Sequence, residues 1–224
     1  MDIEDFMSKK LLKKGTTAKC FLLKNGNVFK QFNSPLDISD VERFKYFLNF
    51  ENENILFPFD FVYDNKKFYG YVTKRAMGQT LSESFASSNL EKLSIHSIKT
   101  EKNIDLVSQG KIIMHDLHSD NVIYDGNLIQ IIDPDEYGIR DIYTVEEIKD
   151  TNFKYYRTLI SNLFIANIHG ITNRHSDYLI DRINRYKYSG YRTSEIIIKI
   201  KDDMEKYTKE QIEIPNDFNR IIRK

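Results

Sequence analysis

The chain has a single cysteine, Cys20, so no internal disulfide framework can hold it together. It has no excess charge of either sign. Its 33 basic residues balance 33 acidic ones, which excludes a global field drawing it to nucleic acid or an anionic membrane and leaves only local patches. No apolar run is long enough to span a bilayer: the longest stretches, such as LISNLFIANI, are short and broken by polar residues. Internal repeats and long polar linkers are missing as well. His96, His169 and His175 stand at no spacing from cysteine or acidic residues that would make a zinc site. The start, MDIEDFMSKK, is acidic where a secretory signal is basic and then apolar, so the expected location is intracellular and cytoplasmic. What the chain does have is 224 residues of which 41% are hydrophobic, enough for the core of one two-lobed domain or two small ones.

Its character changes near residue 80. Before that point CFLLKNGNVFKQF reads as two strands around Asn25-Gly26, and FDFVYDNKKFYGYVTKR as two more around Asp64-Asn65. Between the hairpins, Asp37, Ser39 and Asp40 are candidate caps for a helix whose apolar positions are Val41, Phe44, Phe47 and Leu48. After residue 80 the periodicity predicts helices over 89–109, 151–168, 175–187 and 193–208. The expected division is therefore a sheet lobe, 1–78, and a helical lobe, 79–224, with a hinge near Met77, Gly78 and Gln79.

One stretch interrupts the helical half. IIMHDLHSDNVIYDGNLIQIIDPDEYG, residues 112–138, reads as two short strands, NVIY and LIQIID, joined by Asp125-Gly126-Asn127. Antiparallel pairing brings Asn121 and Asp133 to one rim, with Asp116 across the loop. One carboxylate and one amide oxygen suit a Mg²⁺ ion that arrives with a nucleotide, since magnesium favours hard oxygen ligands together with substrate phosphates. Asp116, five residues before Asn121, stands where it could accept a proton from an attacking hydroxyl.

Asp116-Leu117-His118-Ser119-Asp120-Asn121 followed by Asp133 resembles the catalytic loop and metal aspartate of the protein-kinase-like superfamily, which includes eukaryotic-type protein kinases and the aminoglycoside and choline phosphotransferases. His118 makes the loop more similar to the small-molecule branch, which reads His-Gly-Asp-Leu-His-Pro-x-Asn. The resemblance extends upstream. Lys30 in VFKQF corresponds to the lysine that pairs the α and β phosphates, Glu42 to the helix glutamate that holds it, and KKGTTAKCF to a degenerate phosphate-covering loop with Gly15, Thr16 and Thr17. It implies that Cys20, Val28, Val72, Ile123 and Ile132 enclose adenine and that the backbone of residues 73–77, with Lys74, Ala76 and Met77, meets its edge. Gly15 to Asp133 covers about 120 residues in family order. The fold implied is α+β and bilobal: an antiparallel sheet plus one helix, then a reduced, mainly helical lobe. The implied catalytic residues are Asp116, Lys30, Glu42 and His118, the metal ligands Asn121 and Asp133, and the cofactors ATP and Mg²⁺.

The chain also departs from the pattern. Met114 replaces the usual histidine of His-Arg-Asp, Pro134-Asp135 replaces the Phe-Gly of Asp-Phe-Gly, and no Ala-Pro-Glu equivalent follows before the helix near Asn152, so the activation segment is expected to be reduced or absent. Asn152 itself stands where kinases carry an aspartate that bonds the catalytic-loop backbone. Three readings result: a phosphotransferase acting on a hydroxyl-bearing acceptor, with a protein Ser or Thr slightly favoured over a small molecule; a pseudokinase acting as a binding module; or a coincidental motif, with the basic, aromatic INRYKYSGYR at 183–192 binding a partner. The nucleic-acid signal of the whole chain is weak.

Overall fold

The structure, a computed structural model, describes residues 10–34, 36–64, 67–168 and 174–223. The chain divides into two units, Met1–Ala76 and Met77–Lys224. In the first, strands β1 (Lys10–Lys14), β2 (Ala18–Leu22), β3 (Val28–Phe32), β4 (Pro58–Asp64) and β5 (Lys67–Thr73) form an antiparallel sheet in the order β1-β2-β3-β5-β4. Helix α1 (Ile38–Phe47) lies between β3 and β4 in sequence. At the β2–β3 turn Gly26 takes a φ of 85°, the left-handed backbone that its Asn-Gly sequence supplies. Asn65, in the second expected turn, and His169 lie outside the described residues.

Alternation along the strands, shifted by the β4–β5 bulge between Val62 and Tyr63, divides the sheet's side chains between two faces. Phe29, Val62 and Val72 form one buried cluster. On the opposite face Phe32, Phe68 and Tyr71 meet Phe44 of α1, with the Phe44 and Tyr71 ring centroids 5.2 Å apart. Rings of this size stabilise by roughly 2 kcal/mol each when fully buried, so this layer is the main force holding α1 to the sheet. Strand β1 has no counterpart among the sequence expectations. All five of its residues, KLLKK, are exposed at the sheet's edge, and nothing in them alternates.

The second unit begins with β6 (Gln79–Thr80), α2 (Leu81–Ser84) and α3 (Leu90–Gln109). There follow β7 (Ile112–Ile113), the β8 (Val122–Tyr124) and β9 (Ile129–Ile131) hairpin, β10 (Gly138–Ile139), and helices α4 (Val145–Ile168), α5 (Arg174–Lys187), α6 (Thr193–Thr208) and α7 (Pro215–Ile222). The four expected helices are present. Helix α4 starts earlier than its periodicity suggests because Thr144 and Glu147 form a reciprocal cap: Glu147 Oε2 accepts from Thr144 N at 2.7 Å, and Thr144 Oγ1 accepts from Glu147 N at 3.2 Å. Helix α7 was not expected; Pro215 opens it and Phe218 fixes it in the core. Buried Glu101 of α3 accepts from the backbone and hydroxyl of Ser194, at 3.2 and 3.0 Å, and so caps the start of α6.

A sheet unit with one helix after its third strand, followed by a largely helical unit, is the coarse topology of a kinase-like fold. No helix among the described residues is long and apolar enough to cross a membrane.

Candidate active site

The hairpin of the second unit pairs Val122 with Ile131, Ile123 with Gln130 and Tyr124 with Ile129. Its turn closes on Asp125, whose Oδ1 accepts from Asn127 N at 2.8 Å and Leu128 N at 2.7 Å. At the other end Ile132 N donates to Asn121 O at 2.8 Å, so Asn121 and Asp133 lie at the same end of the hairpin. Val122, Tyr124, Ile129 and Ile131 are buried, whereas Ile123 and Ile132 share the hairpin's half-exposed face.

The loop before β8 is tied to this end. Asn121 is buried, its backbone N donates to His118 O at 3.0 Å, and its Nδ2 donates to Asp116 O at 3.3 Å. Asp116 has a φ of 57° and Asp133 a φ of 65°, both in the left-handed region. Such a conformation costs a non-glycine residue roughly 1–2 kcal/mol, so both backbones are held by their surroundings. The Asp116 side chain is nevertheless 57% exposed, and His118 Nε2 stands 3.6 Å from its Oδ2. His118 Nδ1 accepts from Asp120 N at 3.3 Å, which assigns the proton of a neutral ring to Nε2, facing Asp116. Ser82 of α2 donates to Asp120 and fixes the far side of the loop.

Asn152, fully buried in α4, anchors the approach to the loop. Its Oδ1 accepts from Met114 N at 2.8 Å, and its Nδ2 donates to Ile112 O and Ser108 Oγ, both at 2.9 Å. A neutral amide thus bonds the backbone two residues before Asp116. After Asp133 only residues 134–144 precede α4, and they are tied at several points. Tyr137 N donates to Pro134 O at 3.1 Å, Gly138 and Ile139 pair with Ile113 and Ile112, and Arg140 N donates to Lys111 O at 2.9 Å.

Two residues here were not singled out from the sequence. Tyr137 is buried, and burial pushes its phenol pKa up, with the fields of Asp133 and Asp116 adding to the rise. Nothing in DPDEYG marks it. His115, with its ring 6.1 Å from that of Tyr155, is pushed down by burial and by Arg140, against an opposing pull from Glu136.

In the first unit Lys30 is only 7% exposed and lies opposite Cys20 on β2 and Tyr71 on β5, on the face that α1 covers. Cys20 and Val28 share that face by register. Val72 does not: it pairs with Phe29 and packs into the opposite cluster, so Thr73 and Tyr71 are the β5 residues on the Lys30 side. Glu42 also departs from expectation. It is 62% exposed and bonds Lys45 within its own helix at 2.6 Å. At 100° per residue it lies on the side of α1 opposite Phe44 and Phe47, whereas Asp40 falls on their stripe and bonds Arg43 at 3.0 Å.

Gly15, Thr16 and Thr17 form the short β1–β2 connection. Gly15 N donates to Ala18 O, while Asn33 holds Thr16 O through Nδ2 and Thr17 O through its backbone N, each bond at 2.8 Å. Lys74 pairs with Glu51 at 3.3 Å, Ala76 ends the first unit, and Met77 N, in the second, donates to Gln130 Oε1 at 3.2 Å. Among the described residues no three of His, Cys, Asp and Glu come together as a metal set. No protein-family model matches the chain, and no curated protein matches it.

Proposed function

We propose that the chain is an ATP-dependent phosphotransferase of protein-kinase-like fold that moves a γ-phosphate to a hydroxyl, with a protein Ser or Thr as the favoured acceptor. The observation that carries the reading is the Asp116–Asn121–Asp133 constellation: an exposed carboxylate on constrained backbone, bonded through its carbonyl to a buried amide at the same end of the hairpin as a second aspartate. In this role Asp116 accepts the acceptor's proton as its oxygen attacks, with His118 Nε2 3.6 Å from the carboxylate. Lys30 supplies a fixed positive charge for phosphate oxygens, on a strand too well packed for it to wander.

The donor chemistry fits magnesium. Asn121 spends its Nδ2 on Asp116 O, which leaves Oδ1 as its ligand atom, and Asp133 adds a carboxylate. Bound there, the ion would supply charge neutralisation for the phosphates. A small-molecule acceptor is the second reading. It is favoured by the tied segment 134–144, which leaves little free chain to form a peptide platform, and by His118.

The test is Mg²⁺-dependent ATP turnover and phosphate transfer by the full chain against Asp116→Ala and Asp133→Ala. A loss of at least about 100-fold is expected for Asp116→Ala. Nucleotide binding without turnover above the variants would leave a pseudokinase, and absence of nucleotide binding would overturn the site as well.

A further inference from the structure

The corner between α5 and α6 has a surface that phosphate transfer does not use. The ten residues Ile183–Arg192 contain three cations, three tyrosines and no carboxylate. Neighbouring acids are occupied within the corner. Asp203 receives Arg182 through Nε at 2.9 Å and Nη2 at 3.0 Å, and it also accepts from Tyr186 OH at 2.7 Å. That network pushes the Tyr186 phenol up to about 12, burial first and the Asp203 bond second, and it locks α5 to α6. Asp181 pairs with Arg185 at 2.6 Å, and Glu195 accepts from Arg192 N at 2.8 Å to cap α6. Asp177 and Asp202 are the remaining exposed acids of the two helices.

Two rings project from this rigid base. Tyr188 is 73% exposed, with Lys187 Nζ 5.5 Å from its ring centre; Tyr191 is 40% exposed, with Lys199 Nζ 4.2 Å from its centre and the Tyr186 ring at its edge. Among the described residues of α5, α6 and their connection, the large apolar side chains exposed are all tyrosines: Tyr178, Tyr188 and Tyr191. A lipid surface would require aliphatic side chains that this corner does not present. An acidic peptide would satisfy the cations, but its carboxylates offer no aromatic face to stack on the rings.

We propose that the α5–α6 corner binds single-stranded nucleic acid, with bases stacking on Tyr188 and Tyr191 and phosphates meeting Lys187, Arg192 and Lys199. Single strands fit because their bases can splay onto separate rings, whereas a duplex hides its faces. The chain's net charge is zero, so the attraction is local and falls steeply with salt.

The experiment is fluorescence anisotropy of end-labelled oligouridylate RNA and oligothymidylate DNA with the full chain, from 50 to 200 mM salt. Binding of either is expected, with a log–log salt slope of about −2 for three phosphate contacts. Tyr188→Ala should weaken it about tenfold and Tyr188→Phe should hardly change it, because the ring and not the hydroxyl stacks. Lys199→Ala should weaken it and flatten the slope. Tyr188 is exposed enough that its variants should melt with the native protein, so they decide the matter even if Lys199→Ala is unstable. Absence of binding, indifference to Tyr188→Ala, equal displacement by polyglutamate, or the same variant sensitivity toward phosphatidylserine vesicles would overturn the proposal.

Discussion

Replacing Asn152 tests how the loop before Asp116 is held. Its amide satisfies Met114 N and Ile112 O, both fully buried, so Asn152→Ala leaves a donor and an acceptor beyond the reach of water. Each orphan costs about 1–3 kcal/mol, or about 4 kcal/mol for the two, and in a chain of this length 1 kcal/mol lowers Tm by about 2–4 °C. The expected drop in a circular-dichroism melt is therefore about 8–16 °C. Asn152→Asp separates bonding from shape. It keeps an acceptor for Met114 N but turns a second oxygen toward Ile112 O, and the Ser108 hydroxyl already donates to Ile104 O at 2.7 Å. The introduced carboxyl is stable there only when protonated, so its folded pKa lies above its unfolded value near about 4. Stability contributed by such a group is fully present below the unfolded pKa and is lost as pH rises through the folded one, so the deficit of Asn152→Asp should widen from pH 5 to pH 8 while that of Asn152→Ala stays level. An Asn152→Ala melt within about 2 °C of native, or a pH-independent Asn152→Asp deficit, would refute the reasoning.

Two further tests probe other parts of the frame. Gly78 has a φ of 116°, and an added Cβ would lie 2.4 Å from Tyr124 O; Gly78→Ala should cost about 3 kcal/mol or more, whereas Gly26→Ala, at a φ of 85° with open space, should cost only about 1–2 kcal/mol in the same melt. Glu101 is pushed up because burial outweighs its bonds to Ser194, so its stabilising contribution is present below the ordinary glutamate pKa and lost as pH rises through the folded value. Glu101→Gln should therefore gain on the native protein between about pH 4 and pH 7 in paired denaturant titrations, and a constant gap would count against the assignment.

The sheet, the hairpin and four helices were legible because their signals are local: alternation bounded by Asn-Gly, a 3.6-residue period, an Asx turn. Strand β1 was not, since an all-exposed edge carries no pattern. The early start of α4 was within reach, as TVEE at 144–147 is a capping box placed before the apolar run that drew attention. The misplacement of Glu42 was also avoidable. Once Phe44 and Phe47 define the buried side of α1, a residue two positions before Phe44 must point away, and Asp40 must not. Val72 needed more than alternation, because which face of β5 meets Lys30 depends on pairing with β3, a relation of residues far apart in sequence. Tyr137 was invisible for a similar reason: its burial depends on the short β7–β10 pairing that follows it.

The loop's strain and its bonding fit together. Lys111, Asp116 and Asp133 all adopt positive φ, at 57°, 57° and 65°, and together they represent a cost of about 3–6 kcal/mol. The bonds that offset it are Asn152 on Met114 and Ile112, Arg140 on Lys111, and Asn121 on Asp116 and Ile132. Each contributes roughly 1 kcal/mol net, so the sum matches the strain without greatly exceeding it. Removing one anchor should therefore release the loop toward ordinary backbone angles before it unfolds the helices, because α3 and α4 keep their own buried faces. With every anchor in place Asp116 is exposed at its carboxylate and held at its backbone, the combination that the proposed role as a base calls for.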